Sequence, residues 1–349
     1  MPPQFSPEDP LAELIVTYNE LNSSIIEELD QEPSPLEFMR YVARNTPFVV
    51  RRAAVGWEAF QKWDAEFLTD TLAGRNVNVA VTPHGNADAP TPLPDGTLSL
   101  SKPHEEDQPF DEFLSNIIRQ TKQAPDSKEL PEEVLYAQTQ NDNLRNEYAP
   151  LFALNHLPVS IPFARIALAQ KNPDALNLWI GNARAVTALH KDNYENIYVQ
   201  LRGRKRFLLL PPLCQPCVAE RLIRAATYHR RGPDQPTTDT SNAGLRLEPD
   251  EGADDVPFAT WDPDEPETNA TPYSHLADPM EVILEPGDML YLPAMWYHKV
   301  SQFCNPEDEG FVLAVNYWYD MDFSGPLYPM TSFVRSLGLR DQAKSSSQA

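Results

Sequence analysis

His190-Lys191-Asp192 sets an imidazole and a carboxylate two residues apart, and Trp296-Tyr297-His298 supplies another imidazole about a hundred residues later. In a segment with strand character, alternate side chains share a face, so His190 and Asp192 can point into one cavity. A second imidazole from elsewhere, His298, completes a 2-His-1-carboxylate set. Such a set fills one face of an octahedral Fe(II) and leaves three positions for substrate and oxygen. The other histidines, His84, His104, His156, His229 and His275, read as ordinary surface or core residues, in loops or without a carboxylate at strand spacing. A lone His-x-Asp is a weak signal, so its surroundings decide.

Three surrounding features strengthen it. Asp192 is soon followed by the apolar strand pattern of Ile197, Val199 and Leu201, which presents the pair rigidly. Lys205 lies close to Phe207-Leu208-Leu209-Leu210, where an unpaired ammonium is costly. A buried cation needs an anion, and the distal carboxylate of 2-oxoglutarate would satisfy it, with the hydroxyls of Thr187 and Tyr136 as added donors. The alternative is a basic Arg204-Lys205-Arg206 turn facing solvent. Asn196 and Asn316 are amides in otherwise apolar strands, where they need partners. Either they line the cup and hold the cofactor's other carboxylate, or they bridge strands.

The elements that must position these groups follow from period and punctuation. A helix is expected over most of residues 1–30, where Leu11, Leu14, Ile15, Tyr18, Leu21, Ile25, Ile26 and Leu29 recur mostly at three and four. Ser34-Pro35 opens a second helix to Arg44. Phe48-Val49-Val50-Arg51 reads as a strand. Gly56-Trp57 leads into an aromatic helix anchored by Phe60, Trp63 and Phe67. Residues 76–81 alternate as a strand, 82–108 read as loop, 110–120 as helix, and 134–138 and 175–180 as strands. Beyond Leu201, Arg202-Gly203 turns the chain, and 204–210 is expected to return as an antiparallel hairpin. Met280–Leu284, a Glu285–Asp288 turn, a strand over Met289–Pro293 delivering His298, and a buried strand over Phe311–Tyr319 complete the pattern. The end from about Gly338 is expected to fray. Many short strands with helices at the ends imply an antiparallel double-sheet barrel of jelly-roll or cupin type. The expected layout is an N-terminal helical and β region over 1–130, the barrel over 131–325, and a tail over 326–349.

Composition restricts the partners. The formal net charge of −23 argues against nucleic acid and anionic membrane surfaces and suits a basic protein partner. Residues 232–279 carry twelve acidic residues against one basic and eight prolines, about half of that net charge. They read as a loosely ordered insertion or as an acidic collar guiding a basic substrate. Three cysteines, Cys214, Cys217 and Cys304, fit a reducing compartment, and Cys214-Gln215-Pro216-Cys217 lacks the second pair that a zinc site needs. With no basic-then-apolar leader and no membrane-length apolar run, the cytoplasm or nucleus is expected.

His190-Lys191-Asp192-Asn193-Tyr194-Glu195-Asn196, Lys205, Pro211-Pro212, Gly287-Asp288-Met289-Leu290-Tyr291-Leu292-Pro293 and Ala314-Val315-Asn316-Tyr317-Trp318-Tyr319-Asp320 resemble JmjC-domain 2-oxoglutarate oxygenases, and within them the small lysyl-hydroxylase branch. The similarity runs from about residue 30 to 325 and is weakest in 232–279, in the loop beyond Pro83 and at both ends. It implies a double-stranded β-helix of cupin type, with His190, Asp192 and His298 as iron ligands. It implies Lys205, Thr187 and Tyr136 for the far carboxylate of 2-oxoglutarate, and Asn196 and Asn316 at its iron-binding end. It further implies O2 as co-substrate, a lysine-bearing protein substrate of translation-factor GTPase type, and a homodimer. Two alternatives stay open. One is demethylation of Nε-methyl-lysine on histone tails, for which no reader module or zinc-binding cysteine cluster is visible. The other is a non-catalytic cupin-like interaction protein.

Overall fold

The computed structural model describes residues 9–93, 95–122, 133–231, 244–305 and 307–346. In chain order the N-terminal region runs α1 (Pro10–Leu21), β1 (Glu27–Leu29), α2 (Pro35–Arg44), β2 (Phe48–Val50), α3 (Glu58–Lys62), α4 (Ala65–Thr71), β3 (Asn76–Thr82), β4 (Ala89–Pro92), β5 (Leu98–Lys102), β6 (His104–Pro109) and α5 (Phe110–Lys122). Then follow β7 (Val134–Tyr136), α6 (Ala149–Ala153), α7 (Pro162–Ala167), β8 (Ala175–Gly181), β9 (Val186–Lys191), β10 (Tyr194–Arg202), β11 (Arg204–Leu210) and β12 (Glu220–Arg230). The chain closes with β13 (Leu245–Pro249), β14 (Val256–Ala259), β15 (Met280–Leu284), β16 (Met289–Leu292), β17 (Tyr297–Phe303), β18 (Val312–Asp320) and α8 (Leu327–Ser346).

Two sheets make the barrel, a six-stranded one in the order β1-β2-β16-β10-β18-β8 and a four-stranded one in the order β15-β11-β17-β9. Their inner faces share one apolar cluster, with Tyr198, Leu290 and Trp318 from the larger sheet against Phe207, Val282 and Val300 from the smaller. The outer faces are covered too. Ile197, Val199 and Tyr317 pack with Phe38 of α2 and Phe113 of α5, while Leu189 and Tyr297 pack with Leu11 of α1 and Val334 of α8. Cover on both sides explains why β18 is buried from Val312 to Tyr319 and apolar there except at Asn316.

Several expectations give way to this topology. The first helix stops at Leu21, where Asn22 turns extended and its amide donates to Tyr18 O at 2.9 Å; residues 27–29 are then drawn into a strand parallel to β2. The aromatic helix breaks at Trp63, and Asp64 caps a second short helix; Trp63 is fully buried, Phe60 and Phe67 only partly. The segment 82–108 holds three strands rather than loop. In β6 the charges hid the pattern: it is an edge strand of alternating exposure, with Glu105 and Asp107 facing solvent and Glu106 held by Arg230. Asp192 lies just beyond β9, not within it. β10 and β11 form no hairpin, because β10 pairs with β16 and β18 while β11 pairs with β15 and β17. The chain crosses between sheets at Gly203, whose φ is +60° and where a Cβ would lie 3.0 Å from Phe311 O. His298 rides on β17 in the smaller sheet, separate from the Met289–Leu292 strand.

The acidic insertion is partly ordered. Its residues 232–243 lie outside the described residues, but β13 and β14 pair with β12. Asp262 and Asp264 reach Lys299 on β17 at 2.7 and 2.8 Å, so these acids neutralise the barrel's own cations. Beyond Gly338 the backbone stays helical to Ser346, and residues 347–349 lie outside the described residues. Cys214 and Cys217 are buried thiols in a 3-10 turn. No described helix is long and apolar enough to cross a membrane.

Candidate active site

β9 and β17 are antiparallel neighbours, and their register sets His190 directly opposite His298. Opposed residues on adjacent strands project from the same face, so the two rings meet with centroids 4.1 Å apart. Each ring uses Nδ1 on a main-chain carbonyl, His190 on Ala188 O at 2.8 Å and His298 on Trp296 O at 3.1 Å. That leaves both Nε2 atoms turned to one point, each 3.7 Å from Asp192 Oδ2. One ligand atom from each of the three residues lies within 4.8 Å of the others. Fixing Nδ1 in this way sets the tautomer that a metal-binding Nε2 requires. Burial, reinforced by the neighbouring His190, holds the His298 pKa down at about 4, so its ring is neutral and its lone pair available at neutral pH.

Asp192 owes its position to the turn between β9 and β10. Its carbonyl accepts from Met295 N at 2.7 Å, tying that turn to the segment that leads into His298. The same segment is clamped from two further sides. Trp296 Nε1 donates to Asn45 at 2.8 Å, and Glu195 accepts from Tyr291 Oη at 2.6 Å and from Ala294 N at 3.3 Å. Asn45 and Glu195 are positioning residues that sequence reasoning missed. Glu195, a carboxylate inside an apolar strand, was the available signal.

Lys205 is 1% exposed, and its ammonium donates to Tyr198 Oη at 2.7 Å and Tyr136 Oη at 3.0 Å. No carboxylate pairs with it among the described residues. Burial alone drags its pKa from 10.5 to about 7. The solvent-facing alternative for this lysine is therefore wrong. Tyr136, Thr187, His190, Asp192, Asn196, Lys205, His298 and Asn316 all line one narrow cavity between the sheets. Asn316 Nδ2 donates to Asn196 Oδ1 at 3.3 Å, and its Oδ1 accepts from Trp179 Nε1 at 3.1 Å. Tyr198, Trp179 and Trp318 line the cavity as well, and the sequence reading passed over them. Tyr198 was within reach, since it shares the inward face of β10 with Asn196 at strand spacing. Gly181 lets Tyr136 in: a Cβ there would stand 2.7 Å from the Tyr136 ring.

The remaining histidines have other work or other neighbours. His156 Nδ1 accepts from Trp63 Nε1 at 3.1 Å. His104 does have a carboxylate at strand spacing, contrary to expectation, but Glu106 is engaged by Arg230 at 2.9 Å.

Two facing sheets with an imidazole pair and a carboxylate between them define a cupin-type metal-site barrel. The chain belongs to the cupin-like JmjC family, whose cupin-like domain matches residues 33–325. It is 36% identical to the human bifunctional peptidase and (3S)-lysyl hydroxylase JMJD7 over 84% of each chain. It is also 36% identical to the Arabidopsis thaliana lysine-specific demethylase JMJ32, covering 89% of this chain and 86% of that protein. The Dictyostelium discoideum JmjC domain-containing protein E is 32% identical over 84% of this chain and 83% of its own. The chain is thus a JmjC-type oxygenase homologue, a family that normally uses Fe(II) and 2-oxoglutarate.

Proposed function

We propose that this protein is an Fe(II)- and 2-oxoglutarate-dependent hydroxylase of a lysine side chain, acting at carbon 3 as the name of its human relative states for that protein. One observation carries the co-substrate assignment: a fully buried lysine with no carboxylate partner among the described residues shares a cavity with the His-Asp-His set. A ligand bearing a carboxylate at one end and metal-binding oxygens at the other fits both. In this reading His190, Asp192 and His298 hold the iron. Lys205, Tyr136 and Thr187 hold the far carboxylate of 2-oxoglutarate, and Asn196 and Asn316 support its other end. When bound, the iron centre with 2-oxoglutarate and O2 supplies the oxidising power, yielding succinate, CO2 and one oxygen atom placed on an unactivated C–H bond.

The protein's own share is positional. The main-chain carbonyls of Ala188 and Trp296 fix the imidazoles. Lys205, shielded by Trp179 and Tyr198, gives a desolvated cation whose attraction for an anion is stronger than in water. The apolar walls exclude water from the reacting bond. A chain of net charge −23 suits a basic lysine-bearing segment, and a translation-factor-type GTPase is the substrate class we favour.

Equal identity to JMJ32 supports a second reading, removal of a methyl group from Nε-methyl-lysine. Mass spectrometry separates them. Incubation with Fe(II), 2-oxoglutarate and a lysine peptide from such a GTPase should add one oxygen to the peptide. Loss of a methylene from a methylated peptide, with no gain on the unmethylated one, would replace hydroxylation by demethylation. No succinate with either would favour an interaction protein.

A further inference from the structure

Asp88 stands beside β9, the strand that carries His190. β9 is the last strand of the smaller sheet, and the chain just before β4 runs along its outer edge. Gly85 O accepts from Val186 N at 3.0 Å, and β4 itself packs against β9. Asp88 lies between these two contacts, its own N–H donating to Ser101 O at 2.8 Å. Its carboxylate is met by Gln138, whose amide donates to Asp88 Oδ2 at 3.0 Å. Gln138 sits two residues beyond Tyr136 and two before Gln140, and both of those line the cavity that holds the His-Asp-His set. The carboxylate is thereby fixed next to the cavity, and Asp88 keeps enough exposure for a ligand to reach it.

This carboxylate lacks a cation. Among the described residues its only side-chain partner is the neutral Gln138 amide. Lys102 acts on it from a distance but is bonded to Asp250 at 2.9 Å, and the charge of Glu105 opposes it. Burial holds its pKa above the ordinary carboxylate value, by more than the Gln138 bond and the neighbouring His190 offset. A partly desolvated anion with one neutral donor gains from an arriving ammonium. His190 is near enough to act on its charge, yet Asp88 is not one of the three residues whose ligand atoms cluster.

We infer that the Asp88 carboxylate receives the ammonium of the target lysine and makes the site specific for that side chain. This rests on the carbon-3 hydroxylase reading and adds to it the residue that recognises lysine. Carbon 3 is bonded to the α-carbon, and the charged nitrogen is at the other end of the side chain. With carbon 3 presented to the metal, that nitrogen needs an anion close to the metal but separate from it. A carboxylate beside His190 and outside the ligand set meets both conditions. The ligand carboxylate Asp192 cannot serve, because it faces both Nε2 atoms.

The test pairs a substitution with a change in the peptide. Asp88→Asn removes the charge and keeps an oxygen for the Gln138 amide. Single-lysine peptides on an array are each matched by a twin carrying norleucine, which keeps carbon 3 and lacks the nitrogen. Affinity for the Mn(II)- and 2-oxoglutarate-loaded protein is read alongside KM and kcat for hydroxylation. The unaltered protein should prefer lysine over norleucine by about tenfold. Asp88→Asn should lose that preference through weaker binding and a higher KM for the lysine peptide, with affinities for the norleucine twin, Mn(II) and 2-oxoglutarate unchanged. Asp111→Asn, which removes an exposed acid on α5, should keep the preference. The inference is overturned if no lysine peptide is preferred to its twin or if Asp88→Asn keeps the preference. It is equally overturned if that variant weakens both twins alike or loses Mn(II), since Asp88 would then be a support for His190. The hydroxylase reading fails separately, through the product's mass, while the binding preference is read without turnover.

Discussion

Replacing Lys205 by Met should stabilise the protein alone and cripple its binding of 2-oxoglutarate, two effects of opposite sign from one ammonium. Met keeps the linear shape and removes the charge. The fall in the Lys205 pKa from 10.5 to about 7 through burial corresponds to roughly 5 kcal/mol between charged and neutral forms. Because the pKa falls on folding, the unfolded chain holds the proton more tightly. The penalty on the fold is therefore full below about pH 7 and fades as pH rises towards 10.5. Against this, Met leaves the hydroxyls of Tyr136 and Tyr198 without their shared partner, at a cost of about 1–3 kcal/mol. The net gain near pH 7 is about 2–4 kcal/mol. For a chain of 349 residues this raises Tm by roughly 3–6 °C. Loss of a desolvated ion-pair partner costs the ligand about 2–5 kcal/mol, a factor of roughly 30 to several thousand in Kd. Differential scanning calorimetry of the metal-free protein between pH 6 and 10, with calorimetric titration of 2-oxoglutarate into Mn(II)-loaded protein, measures both. The gap in Tm between variant and parent should narrow above pH 7. A variant that melts lower than the parent and still binds 2-oxoglutarate normally would show Lys205 to be a structural residue and refute the argument.

Proton linkage gives a second expectation. Lys205 is about half protonated near pH 7 alone and fully so beside a carboxylate, so 2-oxoglutarate binding should take up about half a proton. Titrations in buffers of different ionisation enthalpy would reveal it, and identical heats in all buffers would count against it. Asp192→Ala removes the carboxylate that faces both Nε2 atoms, and should abolish Mn(II) binding by calorimetry while the fold survives by circular dichroism. Gly181→Ala drives a Cβ to 2.7 Å from the Tyr136 ring. It should raise the KM for 2-oxoglutarate by about tenfold with metal affinity unchanged. Asn45→Ala strips Trp296 of its acceptors and should lower Tm by about 2–4 °C, as expected for about 1–3 kcal/mol of unmade buried hydrogen bonds.

The sequence by itself carried the donor types and much of the strand pattern. A His-x-Asp followed by an apolar strand, a lysine among leucines, and amides in apolar runs are local chemical anomalies, and each one proved to be in the cavity. Alternation revealed β3 and β10, and a continuous apolar run revealed β18, a strand covered on both faces. What tertiary structure decided was which strands are neighbours. The hairpin expected from Arg202-Gly203 does not exist, since the chain crosses there from one sheet to the other. Lys205 is thus aimed into the barrel from the wall facing Asn196, not carried beside it. The strands within 82–108 and 244–259 escaped notice because they are short and take their order from hydrogen bonds to partners distant in the chain, not from apolar periodicity. The pairing of His190 with His298 is likewise a register between residues over a hundred positions apart. No local pattern specifies it. Only the pairing of β9 with β17 inside the smaller sheet sets those two ring centroids 4.1 Å apart.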